Sequence, residues 1–296
     1  MAKSIYSYAN GEFVLTNDLS INVSQDMLGT FRGYRIFTSC RTLNKGNVFR
    51  LENHIERLFS SAQILEMQLP HNAENLREII FALVNKNSPA DDMILQIMYS
   101  GGSPKPGTMV PNQPAHLYIV ASPLTSPPDL WYQDGISLAS FVYQREWPEV
   151  KLLSYIGAVV ANQTVVQHYK ADDALFVSPL DNNTILEGTT FSIFVVDQHD
   201  HLLTPPLDGT ILDGITRKVI LDLAKSNDIQ VSEKNIMLSN LGAIKEMFFA
   251  SSTRNVVPVV RVDKQIIGDG KPGYLTNRMG LLMKSYQASY TNTHQP

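Results

Sequence analysis

The chain has 296 residues, enough for two domains at about 150 residues each. Hydrophobic residues make up 44% and charged residues 18%, ordinary globular usage that excludes wholesale disorder and collagen-like repetition. Lys and Arg number 24 against 28 Asp and Glu, and the net charge of −4 argues against a dedicated nucleic-acid binder.

No apolar run approaches the ~18 residues of a membrane helix, and the start lacks the apolar core of a signal peptide. The single cysteine, Cys40, forms neither an intrachain disulfide nor a Cys-based zinc site. A soluble, cytoplasmic protein with no nucleic-acid or membrane partner is expected.

Strands and helices are mixed throughout. Residues 5–8 and 12–15 flank Asn10-Gly11, a hairpin signal because both turn residues tolerate positive φ. Residues 34–43 read as a strand, 44–47 as a turn and 48–50 as the partner strand. Leu51, Ile55, Leu58, Phe59, Ala62 and Leu65 recur at helical spacing, and Leu76, Ile79, Ile80, Leu83 and Val84 mark a second helix. Strands follow at 93–99 and 116–121. The stretch 101–114 between them is rich in Gly and Pro, a mobile loop by composition and of a length typical of active-site walls. Residues 122–128, Ser-Pro-Leu-Thr-Ser-Pro-Pro, form the best linker, within about 121–130. A small domain over 1–122 and a larger one over 123–296 are expected. The second half reads as a strand at 136–142, a long helix over roughly 153–169, and strands at 174–177 and 191–196. A helix at 215–224, strands at 247–250 and 256–262, and a C-terminal helix at about 275–286 complete it.

Two motifs have ordinary explanations. Residues 268–273 fit Gly-x-Gly-x-x-Gly, but no second strand with an acid about 20 residues on follows, so they read as a turn. His199 and His201 lack a third and fourth ligand at standard spacing and suit an exposed hairpin turn, so no metal site is assigned.

Lys151 stands between a strand and an apolar helix. A lone lysine is usually solvated. One that enters an apolar pocket loses ammonium stability, and as a neutral amine it condenses with an aldehyde to a Schiff base. Matching parts occur elsewhere. Glu187 lies between two β runs in Leu-Glu-Gly-Thr-Thr-Phe-Ser-Ile-Phe, residues 186–194. Asp213-Gly214-Ile215-Thr216-Arg217 opens a helix, whose free amides and dipole suit a phosphate. Ser252 ends a strand with a hydroxyl, and Arg57, within His-Ile-Glu-Arg-Leu at 54–58, offers a guanidinium able to hold a phosphate by paired hydrogen bonds. An amine, a carboxylate and a phosphate cup are what pyridoxal 5'-phosphate requires.

With these blocks in this order, from about Gly33 to Tyr286, the chain resembles the class IV aminotransferases, the fold-type IV pyridoxal-phosphate enzymes. These include D-amino-acid and branched-chain aminotransferases and 4-amino-4-deoxychorismate lyase. The resemblance implies that Lys151 binds the cofactor covalently and then shuttles protons. It implies that Glu187 pairs with the pyridinium nitrogen, and that Arg57, Ile215, Thr216 and Ser252 hold the phosphate. Tyr155 matches a tyrosine near the cofactor in branched-chain enzymes, where the D-amino-acid enzymes have leucine. The implied fold is a small N-terminal α/β domain and a larger C-terminal domain around a barrel-like sheet, with cofactor in the cleft. A homodimer acting on a small amine or amino acid is implied as well.

For the reaction, the Arg-x-His trap of D-amino-acid enzymes is absent at 103–107, where Lys105 stands, and the branched-chain Tyr-x-Arg is absent at 94–96. Phe37-Thr38-Ser39-Cys40-Arg41 and residues 209–217 resemble segments of aminodeoxychorismate lyases. The sequence therefore favours the lyase, forming 4-aminobenzoate and pyruvate, with Thr38, Arg41 and Lys105 toward substrate. The alternative is a D-amino-acid or branched-chain aminotransferase.

Overall fold

In the computed structural model, which describes residues 4–44, 46–88 and 91–291, Asn10 and Gly11 take φ of 45° and 105°. They join β1 (Tyr6–Ala9) to β2 (Glu12–Leu15) in the expected hairpin. Lys45, within the turn expected at 44–47, lies outside the described residues. The chain divides into two units. The first runs to Thr125 and takes in Val150–Ser154 and the chain from Ala288; the second holds Ser126–Glu149 and Tyr155–Gln287.

The first unit has α1 (Met27–Arg32), β3 (Arg35–Leu43), β4 (Asn47–Val48), α2 (Leu51–Ile64), α3 (Ala73–Asn87), β5 (Met93–Ser100) and β6 (His116–Pro123). Its six-stranded antiparallel sheet runs β2-β1-β6-β5-β3-β4. Met93, Leu95, Ile97 and Tyr99 alternate inward along β5, as the two-residue period of a strand dictates. They join Leu51, Ile55 and Leu58 of α2 and Leu76, Ile80 and Leu83 of α3 in one core, which removes the helices' apolar stripes from water.

The stretch 101–114 is better anchored than its composition implies. Pro104 and Pro111 bridge, and Asn112 N–H donates to Ser103 O at 2.9 Å. At its root the buried Asp26 carboxylate accepts from Gly102 N–H at 3.0 Å and from Ser100 Oγ at 2.7 Å.

The second unit comprises α4 (Leu130–Gln133), β7 (Ile136–Val142), α5 (Ile156–Thr164), β8 (Asp173–Val177), β9 (Thr184–Gly188), β10 (Ser192–Val196) and β11 (Leu202–Thr204). It continues with α6 (Ile215–Ser226), β12 (Val231–Glu233), β13 (Ile236–Met237), β14 (Glu246–Ser251), β15 (Asn255–Val262), β16 (Gln265–Ile266) and α7 (Tyr274–Ala288). A curled sheet runs β12-β11-β10-β14-β15-β7-β8-β9-β13, with β16 paired to β15. Its strands β8 and β10 are buried at every position, so the apolar runs that follow Asp173 and Ser192 belong to a sheet covered on both faces.

The long helix expected over about 153–169 is shorter. α5 begins at Ile156, and Val165–Tyr169 wind on from it as a π-type turn. Residues 150–154 are extended instead: Phe37 N–H donates to Lys151 O at 3.0 Å and Leu153 N–H to Arg35 O at 3.1 Å, with Ile36 opposite Leu152. Lys151 thus lies on an extended segment along β3. Residues 268–273 form turns ahead of α7, and Asp200, with φ 62°, turns the chain between β10 and β11 beside His199 and His201. Among the described residues, no helix is long and apolar enough to cross a membrane.

Candidate active site

In the first unit, α2 presents His54 and Arg57 three residues apart, a spacing that puts both on one helix face. Thr38 of β3 lies between them and is fully buried. Arg57 Nη2 donates to Thr38 Oγ1 at 2.9 Å, and the same oxygen is 2.6 Å from His54 Nδ1. Guanidinium only donates, and the threonine hydrogen has no other acceptor among the described residues. The hydroxyl therefore accepts from Arg57 and donates to Nδ1, leaving a neutral ring with its hydrogen on Nε2. Burial holds His54 well below the ordinary 6.5, and the charges of Arg57 and Lys151 act in the same direction. Lys151 is half-buried. Its N–H donates to Ser61 Oγ of α2 at 3.3 Å, and its Nζ stands 5.1 Å from the centroid of the Phe37 ring. Two elements and an aromatic face thus place the amine near a second cation. Cys40 on the same strand is fully enclosed, and burial pushes its thiol up to about 12, so it is inert packing.

In the second unit, Glu187 sits near the end of β9 with 7% of its side chain exposed. Arg145 Nε donates to Glu187 Oε1 at 3.0 Å, and Arg145 Nη2 donates to the same oxygen. Oε2 receives no hydrogen bond among the described residues. Burial works against the charge of Arg145, but Glu187, Tyr155 and Tyr143 outweigh it and hold its pKa above the ordinary arginine value. Tyr155, at the N-cap of α5, is thereby placed in the electrostatic neighbourhood of this pair.

The turn after Glu187 is tight. Gly188 N–H donates to Phe191 O at 2.9 Å, and a Cβ on Gly188 would run into the Phe191 ring, itself stacked on Phe249 at 4.1 Å. Beyond it, Ser192 pairs with Ala250, and a Cβ on Gly214 would come 2.7 Å from Ser192 Oγ. This close approach seats the start of α6 against the sheet. No side chain caps that start, so the first-turn amides of Ile215 and Thr216 remain available. Thr216 Oγ1 lies 3.3 Å from Ser252 Oγ. Amides, hydroxyls and the positive end of a helix dipole converge there, a combination that suits a phosphate.

The family model for class IV amino-transferases matches residues 35–262. The chain belongs to the class IV aminotransferases. Its relatives include the branched-chain-amino-acid aminotransferase of Pseudomonas aeruginosa, 28% identical over 94% of this chain and 90% of that one. A D-alanine aminotransferase of Staphylococcus haemolyticus is 27% identical over 92% of this chain and 94% of its own length. The crystal structure of the Escherichia coli branched-chain amino acid aminotransferase superposes with a TM-score of 0.87 at 25% identity, covering 98% of this chain and 97% of that chain.

Class IV aminotransferases work with pyridoxal 5'-phosphate, and the residues present fit it. The uncapped start of α6 with two hydroxyls suits the phosphate, the open oxygen of Glu187 suits a protonated ring nitrogen, and the half-buried amine of Lys151 suits an aldehyde. Of the residues expected toward substrate, Thr38 is engaged by Arg57 and His54. Arg41 is paired with Asp92 at 2.9 Å, and Lys105 is exposed in a hairpin where its N–H donates to Val110 O at 2.8 Å. Sequence reasoning gave no role to His54 or Arg145. For His54 the available signal was its three-residue offset from Arg57. Arg145 lies in an aperiodic stretch and offered only one charge among several, six residues before Lys151.

Proposed function

We propose that this class IV aminotransferase is an amino-acid transaminase of the branched-chain type, rather than the lyase that the sequence favours. The observation that carries this reading is Tyr155 beside Arg145, the residue that holds Glu187. A tyrosine at this position resembles the branched-chain enzymes, whereas D-amino-acid enzymes have leucine. The Pseudomonas aeruginosa and Escherichia coli relatives support the same assignment.

When bound, pyridoxal 5'-phosphate supplies an aldehyde that condenses with amines and a ring that draws electrons from the carbon next to nitrogen. Lys151 would hold the cofactor through Nζ, and as a free amine it would move the proton at the substrate α-carbon. Glu187 Oε2 accepts the N–H of the ring nitrogen and keeps it protonated. Arg57 through its guanidinium, Ile215 and Thr216 through their amides, and Ser252 through its hydroxyl hold the phosphate. The Thr38–His54 pair aims Arg57 and acts through it, which replaces a substrate role for Thr38. A homodimer is part of this reading, supported by the exposed apolar side of α5. So is a cytoplasmic setting, supported by the lone enclosed thiol.

The test is direct. Purified protein is supplied with pyridoxal phosphate and 2-oxoglutarate, and L-leucine, L-valine and D-alanine are compared as amino donors. Keto-acid formation from the branched L-amino acids, lost in Lys151→Ala, is expected. Production of 4-aminobenzoate from aminodeoxychorismate with no keto-acid requirement would restore the lyase, and turnover of D-alanine alone would move the assignment to the D-amino-acid enzymes.

A further inference from the structure

We propose that Arg145 is a positioning residue for the cofactor, fixing Glu187 by one carboxylate oxygen so that the other is presented, ionised, to the ring nitrogen. The proposal rests on the reading that Glu187 serves that nitrogen, and it adds a residue that the family blocks do not contain. The geometry is unusual for an arginine–carboxylate pair. The common fork places one donor on each oxygen. Here Nε and Nη2 both fall on Oε1, and Oε2 has no partner among the described residues.

Burial gives the arrangement its weight. Arg145 and Glu187 expose 10% and 7% of their side chains. A carboxylate so enclosed is costly to ionise without a compensating cation, and Arg145 is its one cationic partner among the described residues. An arginine does not surrender its proton, so the compensation is permanent and leaves the ring nitrogen to compete only for Oε2. The guanidinium is itself confined. Tyr143, whose ring meets Phe176 edge-on at 5.0 Å, and Tyr155 are its other electrostatic neighbours, and neither offers a competing carboxylate. A merely structural ion pair, tying residues 143–149 to β9, would need no open oxygen.

The experiment uses apoprotein titrated with pyridoxal 5'-phosphate, with affinity and the pH midpoint of the bound cofactor's visible absorbance as readouts. Arg145→Gln is expected to weaken binding about tenfold, the scale seen when outer partners of metal ligands are removed. It should also raise the absorbance midpoint by about one unit, because Glu187 without its cation no longer keeps the ring nitrogen protonated, and loss of that ring charge favours the protonated chromophore. Arg145→Lys keeps a charge without the fork, so it should restore the midpoint while affinity stays below wild type. In a Glu187→Gln background, Arg145→Gln should move neither readout further, since the effect passes through the carboxylate.

Wild-type affinity and midpoint in Arg145→Gln, whatever its melting temperature, would overturn the proposal, as would an equal shift in the Glu187→Gln background. If Arg145→Gln does not fold, Arg145→Lys decides, and unchanged cofactor affinity there overturns it. Failure of the underlying reading looks different: wild-type protein would not bind pyridoxal phosphate, or Lys151→Ala would keep the wild-type spectrum.

Discussion

Thr38 gives one hydroxyl to two partners with opposite needs, an arginine that only donates and a histidine nitrogen that accepts. The arrangement favours a neutral His54, because an imidazolium would leave the threonine hydrogen without its acceptor and add a third charge beside Arg57 and Lys151. Burial, then those two cations, depress the folded pKa of His54 below the 6.5 expected of an unfolded chain. The linkage sign follows. Above 6.5 neither state binds the proton and the stability is fully present; as pH falls below it, the unfolded chain takes up a proton that the folded one refuses, and stability drains toward the folded pKa. His54→Gln, neutral throughout, should therefore lose less stability than wild type between about pH 7.5 and 5.5, read as urea midpoints of the apoprotein. His71, also lowered by burial, contributes to both slopes and cancels in the comparison. Equal slopes would mean that His54 is not the group refusing the proton.

The connection from β9 to β10 shows how an element boundary fixes a site. Glu187 is the penultimate residue of β9, Gly188 at the strand's end has no room for a side chain, and Thr189 Oγ1 donates to Asp173 Oδ1 at 2.7 Å while Arg254 Nη1 bonds the other oxygen at 3.0 Å. Gly188→Ala would drive a methyl into the Phe191 ring, which is stacked on Phe249, an overpacking cost of about 1–3 kcal/mol. It should also weaken pyridoxal phosphate binding by tilting Glu187. Urea unfolding and a cofactor titration check both, and unchanged values would show that the ring gives way freely. The long elements were legible because their periodicity is local: α2, α3 and β5 each declare an apolar face in their own residues. Residues 153 and 154 were misread as helix because Leu153 extends the apolar pattern of the helix that follows, while its backbone pairs with β3. The firm root of 101–114 was likewise hidden, since its anchor, Asp26, lies 76 residues from Gly102 in sequence.

Contiguous blocks made half of the candidate residues readable, because Arg57, Glu187, Thr216 and Ser252 each sit in a short run whose chemistry stands out. Their supports did not, since Arg145 and Thr38 acquire meaning only through distant partners, and the choice of reaction depends on such placements. At the scale of the assembly the sequence again offers more than one chain uses. α5 is apolar over its first two turns: Ala158 and Ala161 face its own core, and Ile156, Val159 and Val160 are 74%, 52% and 46% exposed on the other side, continued past Gln163 by Val166 and Tyr169. Scattered exposed apolar residues are ordinary, but a run of them along one side of a helix signals a covered surface. A second copy of the chain, the partner that the family resemblance implies, is the occupant proposed for it. Light scattering should then give twice the chain mass for the wild type. Val159→Asp places a carboxylate in the stripe, where burial without a cation is costly, and should yield a monomer at concentrations where the wild type is paired. Because Val159 lies on the exposed side, the variant's far-ultraviolet dichroism should not change. A wild-type monomer, or a Val159→Asp dimer of undiminished affinity, would leave this stripe without the role given to it.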